Sequence, residues 1–138
     1  MDEFCMDEAT RDEAIAWLAI ARRDLDSAKR LLSGEPPYRD TAAYHCQQSA
    51  EKAIKAFLTA ASAPFPKTHD LTALVKIAAD MDADASTWEE AAIVLTPYAT
   101  LYRYPDAFPE PGASDLHEAV PLAEELLDAV TRKISGMP

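Results

Sequence analysis

Glycine is scarce in this sequence, with three residues in 138, whereas alanine occurs 27 times. Alanine has the highest helix propensity, and glycine is the residue that the tight turns between strands most often need. This balance excludes an all-β fold and favours long helices. The chain length, together with a hydrophobic fraction of 49%, suits one compact domain over residues 1–138.

Cysteine is rare as well, since the chain has only Cys5 and Cys46. Two cysteines cannot form the disulfide framework of a small secreted protein, and a domain of this size buries enough apolar surface without one. The sequence also lacks an apolar run of about 18 residues and the basic flank of a signal peptide. We therefore expect a cytoplasmic protein without a membrane segment.

Positive charge is in deficit: 13 lysines and arginines stand against 24 acidic residues, which gives a formal net charge of -11. Binding along a nucleic acid requires clustered cations that neutralise phosphates. Broad nucleic-acid binding is therefore disfavoured, and only a local basic patch remains open.

Capping signals divide the first half of the chain into two long helices. Thr10 and Glu13 form a capping box, which predicts a first helix over residues 11–33 that ends before Gly34. A second helix is predicted from about residue 40 to residue 62, because two prolines follow and cannot continue it. The similar lengths of the two helices favour antiparallel packing.

The third helix is less continuous. Asp70 can cap a helix that runs to the polar stretch at residues 80–86, where Ser86 and Glu89 form a second capping box. Pro97 is predicted to kink the helix that this second box opens.

A last helix is predicted to end at Gly136, and Pro121 marks either a kink in it or its true start. Taken together, these signals predict an all-α chain folded as an antiparallel four-helix up-and-down bundle. Its core would span about residues 11–134, and its third helix would be split into two pieces.

Helix two carries four polar side chains nearly opposite its apolar face, and we call His45, Gln48, Lys52 and Lys55 the α2 strip. They lie within about 80° of one another on a helical wheel. One interpretation is a solvated helix face, and the other is an outward-facing binding strip for anions. On the second interpretation, reversing the charges of the two lysines should abolish binding without unfolding the chain.

Three segments resemble the HEPN family. The run YHCQQSAEKAIKAFL at residues 44–58 resembles the second-helix signature of HEPN domains. KTHDL at residues 67–71 and LYRYPD at residues 101–106 resemble the segments that open and follow the third helix of that family. The resemblance covers roughly residues 11–134, and the pattern QQxxEKxxKA is its most specific part.

The resemblance implies a small helical bundle, usually a homodimer. HEPN domains are often encoded with or fused to a minimal nucleotidyltransferase, as in toxin-antitoxin-like pairs, and are proposed to bind a nucleotide or the substrate of that enzyme. The implied partners are therefore a second copy, a nucleotidyltransferase and a nucleotide.

Other members of the wider group are metal-independent ribonucleases that share an Arg, four to six intervening residues and a His. The matching arginine here is Arg103, but the His positions are occupied by Phe108, Pro109 and Glu110. The motif is therefore broken at its proton-transferring residue, which argues against catalysis.

Substitutes for that histidine are weak. Arg39 and His45 have the right separation, but they lie at the start of helix two, and a match this loose is expected by chance. Asp106 or Glu110 could act as a base, although a carboxylate is a poor acid at neutral pH unless burial raises its pKa. A displaced acid or base remains an alternative.

Other candidate residues have two interpretations each. His69 could contact an anion at the start of the third helix or hydrogen-bond the loop, and Arg103 could bind phosphate or a helix end. Tyr98, Tyr102 and Tyr104 could stack a base or pack at an interface. No spacing indicates a metal site, and no cofactor is implied.

The leading hypothesis is a non-catalytic HEPN-type binding module that dimerises and binds a nucleotide or docks a nucleotidyltransferase. A ribonuclease with a displaced acid or base is the alternative, and a purely structural helical dimer is the second. The candidate ligand-binding residues are His45, Gln48, Lys52, Lys55, His69, Arg103 and Tyr104.

Overall fold

The computed structural model describes residues 6–105 and 110–138, and every regular element within them is helical. The five α-helices are α1 (Glu8–Ser33), α2 (Arg39–Ala60), α3 (Leu71–Met81), α4 (Glu89–Leu95) and α5 (Ala113–Ser135). Two 3₁₀ helices, Ala83–Trp88 and Thr96–Ala99, flank α4. The all-α prediction is confirmed, and the order of elements is consistent with a four-helix bundle whose third position is split.

Helix α1 begins three residues earlier than predicted. The Asp7 carboxylate, not the Thr10 hydroxyl, is the N-cap, and it accepts a hydrogen bond of 2.7 Å from the Thr10 backbone N–H. Either side chain can satisfy a free amide of the first turn, and the sequence contains both. The helix therefore starts at Glu8.

The caps of the third position are partly as predicted. Asp70 caps α3 by accepting a hydrogen bond of 3.0 Å from the Thr72 backbone N–H, which confirms that prediction. The second capping box is wrong, because the Ser86 hydroxyl donates to the Ala83 carbonyl inside a 3₁₀ helix. Helix α4 then starts at Glu89, without a side-chain cap.

The two helical prolines have different effects. Pro97 does not kink a continuous helix: α4 ends at Leu95, and the proline lies in the short 3₁₀ helix that follows. Pro121 lies inside α5 and does not mark its start. Helix α5 ends at Gly136 as predicted.

Helix α2 is the centre of the fold and packs against α1, α3, α4 and α5. Its apolar residues join the core, in which the Phe57 and Trp88 rings meet edge to face at 5.3 Å. Polar residues of α2 are buried too, including Gln47, Ser49 and Glu51. A polar side chain on α2 therefore does not indicate that this side of the helix is exposed to solvent.

No helix of the described residues is long and apolar enough to cross a membrane.

Candidate functional site

The α2 strip lies beside α1 and not on the outside of the bundle. Gln48 is buried, and the side chains of Lys52 and Lys55 are only 22% and 12% exposed. The His45 side chain is 28% exposed. The prediction of an outward strip is wrong because α1 packs along the same side of α2. Asp24 of α1 bonds His45 and Lys52, and residues of α2 itself bond Gln48 and Lys55.

Asp24 of α1 holds the first half of the strip. One of its carboxylate oxygens accepts a hydrogen bond from His45 Nδ1 at 2.8 Å, and the other accepts one from Lys52 Nζ at 2.8 Å. Asp24 is itself buried, so both bonds form where water screens them little. The carboxylate orients the imidazole and neutralises the lysine together.

Glu51 holds the second half in the same way. Its carboxylate accepts hydrogen bonds from Lys55 Nζ at 2.9 Å and from His69 Nδ1 at 2.7 Å. Gln47 donates to the same carboxylate at 3.2 Å and to the His69 carbonyl at 3.1 Å, and Gln48 donates to the side-chain oxygen of Gln47. The arrangement ties the loop before α3 to α2.

The charge state of Glu51 follows from these contacts. Burial raises the pKa of Glu51, but the hydrogen bonds from His69 and Lys55, the charge of Lys55 and the bond from Gln47 together lower it below its ordinary value. Within the described residues, no buried polar side-chain atom lacks a hydrogen-bond partner. Glu51 is therefore a charged and fully bonded anchor at neutral pH.

The strip has little net charge as a result. Asp24 and Glu51 balance Lys52 and Lys55, so these four side chains together carry no net charge. The structure places the predicted strip residues and His69 in two hydrogen-bonded clusters, one around Asp24 and one around Glu51. It also gives each cationic group a carboxylate, which leaves little reason for a free anion to bind along the strip.

A second cluster lies at the start of α2, and we call Tyr44, His45, Arg103 and Tyr104 the Tyr44 corner. The Arg103 guanidinium carbon lies 4.5 Å from the centroid of the Tyr44 ring. The His45 ring meets the same tyrosine edge to face, with 5.6 Å between the ring centroids. Tyr104, next to Arg103 in the chain, is 63% exposed. The Tyr44 ring thus contacts both an arginine and an oriented imidazole, and an exposed tyrosine follows that arginine in the chain.

The other two candidate tyrosines, Tyr98 and Tyr102, pack against each other. Tyr98 is buried and stacks on Tyr102 with 5.9 Å between the ring centroids. Burial, with a smaller contribution from the Asp115 charge, raises the pKa of Tyr98 to about 12. These two tyrosines fit the packing interpretation.

The positions of the missing catalytic histidine are only partly described. Asp106, Phe108 and Pro109 lie outside the described residues, whereas Glu110 is described and accepts a hydrogen bond of 3.3 Å from the Arg39 backbone N–H. Glu110 therefore accepts from a backbone N–H in the first turn of α2. Among the described residues, no group of three potential ligands is placed to hold a metal ion.

Sequence reasoning missed Asp24, Tyr44, Gln47 and Glu51. Three of them belong to the run that resembles the HEPN signature, but only His45, Gln48, Lys52 and Lys55 of that run were predicted to form a site. Asp24 had no local signal, because its partners lie 21 and 28 residues away in the chain.

Comparisons with known proteins agree with the resemblance. The HEPN domain model matches residues 14–134. The crystal structure of TT1696 from Thermus thermophilus is similar, with a TM-score of 0.70 and 31% identity, covering 87% of this chain and 97% of that one. The structure of ST0689, described as an archaeal HEPN homologue, has a TM-score of 0.65 and 29% identity, covering 88% and 97%.

A search of curated proteins gave no significant match. The family model spans almost the whole helical part of the chain, from α1 to α5. The chain belongs to the HEPN domain family.

Proposed function

We propose that this chain is a non-catalytic HEPN subunit that binds a nucleotide at the Tyr44 corner and acts beside a minimal nucleotidyltransferase. The observation that carries the proposal is the position of Arg103, whose guanidinium lies over the Tyr44 ring, the same ring that the oriented His45 meets edge to face. Arginine binds phosphate through paired N–H donors, and stacking on an aromatic ring leaves those donors free at its edge.

The charge pattern favours a small ligand over a polymer. Lys52 and Lys55 are each paired with a carboxylate. Arg103 is the cation of the candidate site that has no carboxylate partner among the described residues. With a net charge of -11, the chain repels a long polyanion. A mononucleotide needs only one such contact, and Tyr104 offers an exposed ring for its base.

The nucleotidyltransferase partner rests on family likeness. Such an enzyme consumes and releases nucleotides, which is the ligand class that the Tyr44 corner suits. A toxin-antitoxin-like pair is the arrangement that the family resemblance suggests.

Nucleotide titration tests the proposal. We expect wild-type protein to bind ATP, ADP or AMP in isothermal titration calorimetry, and Arg103→Ala to weaken that affinity about 10-fold or more, because a charge-assisted hydrogen bond to phosphate is lost. Arg22→Ala is the matched control, since Arg22 pairs with Asp128 on the surface of α1 and α5. Unchanged affinity in Arg103→Ala, or no nucleotide binding by the wild type, would contradict the proposal.

One observation favours the ribonuclease as a second candidate. Asp24 fixes the His45 imidazole through Nδ1, and Nε2 makes no hydrogen bond within the described residues. A histidine oriented by a carboxylate is a common general acid or base, and this one shares the Tyr44 ring with Arg103. His45 could thus replace the histidine that the family motif lacks.

RNA cleavage distinguishes the two candidates. A ribonuclease of this kind should cleave RNA in EDTA, and both His45→Gln and Arg103→Ala should reduce the rate at least about 100-fold, the usual contribution of a general acid or base. Intact RNA after prolonged incubation with folded wild-type protein eliminates this candidate and leaves the binding proposal unaffected.

A further inference from the structure

An open cleft lies between the first half of α1 and the turn that follows α2. Its volume is about 520 Å³, within the range of roughly 300 to 1,000 Å³ that is typical of small-molecule sites. Trp17 of α1 and Phe65 of the turn line it, and Ala63 and Pro64 add apolar surface. We call it the Trp17 cleft. None of the residues that line it belongs to the Tyr44 corner or to the α2 strip.

The hydroxyl of Thr59 faces this cleft without a hydrogen bond. Thr59 is only 9% exposed, and its hydroxyl has no partner among the described residues, whereas Thr131 of α5 donates to the Leu127 carbonyl. Every polar side-chain atom that is fully shielded from solvent in the described part of the chain has a partner, so the Thr59 oxygen must reach the cleft that it lines. A buried hydroxyl without a partner costs stability. A ligand in the cleft would complete the missing bond.

The charges at the cleft favour a cation. Glu13 lines it, is exposed and makes no ion pair with a described residue. Helix α2 ends at Ala60, and Ala63 lies at the cleft just beyond that end, where the helix dipole places partial negative charge. The faces of aromatic rings attract cations as well. All three features select a positively charged ligand.

Lys55 demonstrates that these rings accept an ammonium group. Its Nζ lies 5.8 Å from the centroid of Trp17 and 5.9 Å from that of Phe65, so the two rings are close enough for one ligand to contact both. Lys55 does not line the cleft, and Glu51, 2.9 Å from its Nζ, compensates its charge. The cleft is therefore open to a second cation, which Glu13 would compensate.

We propose that the Trp17 cleft binds a small arylalkylamine, in which an alkyl chain joins an ammonium group to an aromatic ring. The ammonium group pairs with Glu13, the ring packs against Trp17 and Phe65, and Thr59 forms the remaining hydrogen bond. The site differs from the Tyr44 corner in its residues and in the sign of the ligand charge, so the proposal is independent of nucleotide binding.

Three ligands separate the contributions of charge and ring. Tyramine has both, 4-ethylphenol lacks the ammonium group, and butylamine has the ammonium group of a lysine side chain but no ring. In isothermal titration calorimetry at pH 7, tyramine should bind about 10-fold or more tightly than either of the others, because each loses a charge-assisted bond or an aromatic contact. Equal affinity for butylamine would contradict the arylalkylamine assignment and indicate a surface for lysine side chains.

Two substitutions test the residues. Glu13→Gln should weaken tyramine binding about 10-fold or more, and Thr59→Val about 3-fold or more, because they remove a charged and a neutral hydrogen-bonding group. Thr59→Val should not lower the free energy of unfolding, since the hydroxyl that it removes has no partner among the described residues. Glu90→Gln is the matched control, because Glu90 is an exposed glutamate that lines a different cavity with Trp88.

The two tryptophans of the chain locate the bound ligand. Each gives one indole N–H signal in a nitrogen-proton correlation spectrum, and Trp17→Phe identifies the signal of Trp17. Tyramine should shift that signal and leave the signal of Trp88 in place. No detectable binding of millimolar tyramine, a shift confined to Trp88, or affinities that are the same in wild type, Glu13→Gln and Thr59→Val would overturn the proposal. None of these results bears on the affinity for ATP.

Discussion

Lys55→Glu is expected to lower the free energy of unfolding by about 3 to 5 kcal/mol, the range typical of breaking a buried ion pair. The Lys55 side chain is only 12% exposed, and its ammonium group is 2.9 Å from Glu51. It also lies 5.8 Å from the centroid of Trp17 and 5.9 Å from that of Phe65. A glutamate there would place a second negative charge beside a buried carboxylate and next to aromatic rings.

Lys29→Glu is the matched control, because it makes the same change in a lysine that also pairs with a glutamate. Lys29 and Glu124 are 45% and 40% exposed, and reversing such a surface pair costs about 1 kcal/mol or less. Urea unfolding at pH 7, followed by circular dichroism, gives both values. Equal losses of unfolding free energy in the two variants would mean that burial of the Glu51 contacts does not increase their contribution to stability.

This expectation changes how the strip can be tested. The sequence predicts that reversing both Lys52 and Lys55 abolishes binding without unfolding the chain. Because both lysines are bonded to buried carboxylates, that double variant would report stability and not affinity. Arg103 is the better probe, since it is exposed and contacts the Tyr44 ring.

The helices were predictable because their signals are local. The Asp70 cap and the Gly136 end depend on residues within one turn, and capping residues and prolines separated the long helices. The family signature in α2 was also readable as a continuous run. Boundaries failed where two nearby residues competed for one role, as Asp7 and Thr10 did at the start of α1.

The candidate site was less predictable because its contacts are long-range. A helical wheel assumes one buried face, but α2 is surrounded by other helices, so its polar side is a contact with α1. Asp24 and Arg103 reach α2 from segments far away in the sequence. The sequence identified most of the groups that meet, but not the carboxylates that compensate their charge.

Glu51→Gln is expected to remove about 3 kcal/mol of stability at pH 7, because the amide keeps the shape of the carboxylate but leaves Lys55 and its surroundings without a compensating charge. The contacts of the Glu51 carboxylate with His69, Lys55 and Gln47 all require or favour its charged form. Glu124→Gln, at the exposed partner of Lys29, is the control and should cost less than about 1 kcal/mol.

The difference in unfolding free energy between wild type and Glu51→Gln should also decrease in acid. Glu51 has a folded-state pKa below its ordinary value of 4.5, so in acid the unfolded chain takes up a proton that the folded chain still lacks. The stability that Glu51 contributes is complete above its ordinary pKa of 4.5 and is lost as the pH falls through the folded-state pKa. The gap between wild type and Glu51→Gln in urea unfolding should therefore stay constant from about pH 7 to about 5 and shrink toward about pH 3. A gap that stayed constant over that whole range would mean that the effect of the substitution comes from packing and not from the charge that Glu51 holds between Lys55 and His69.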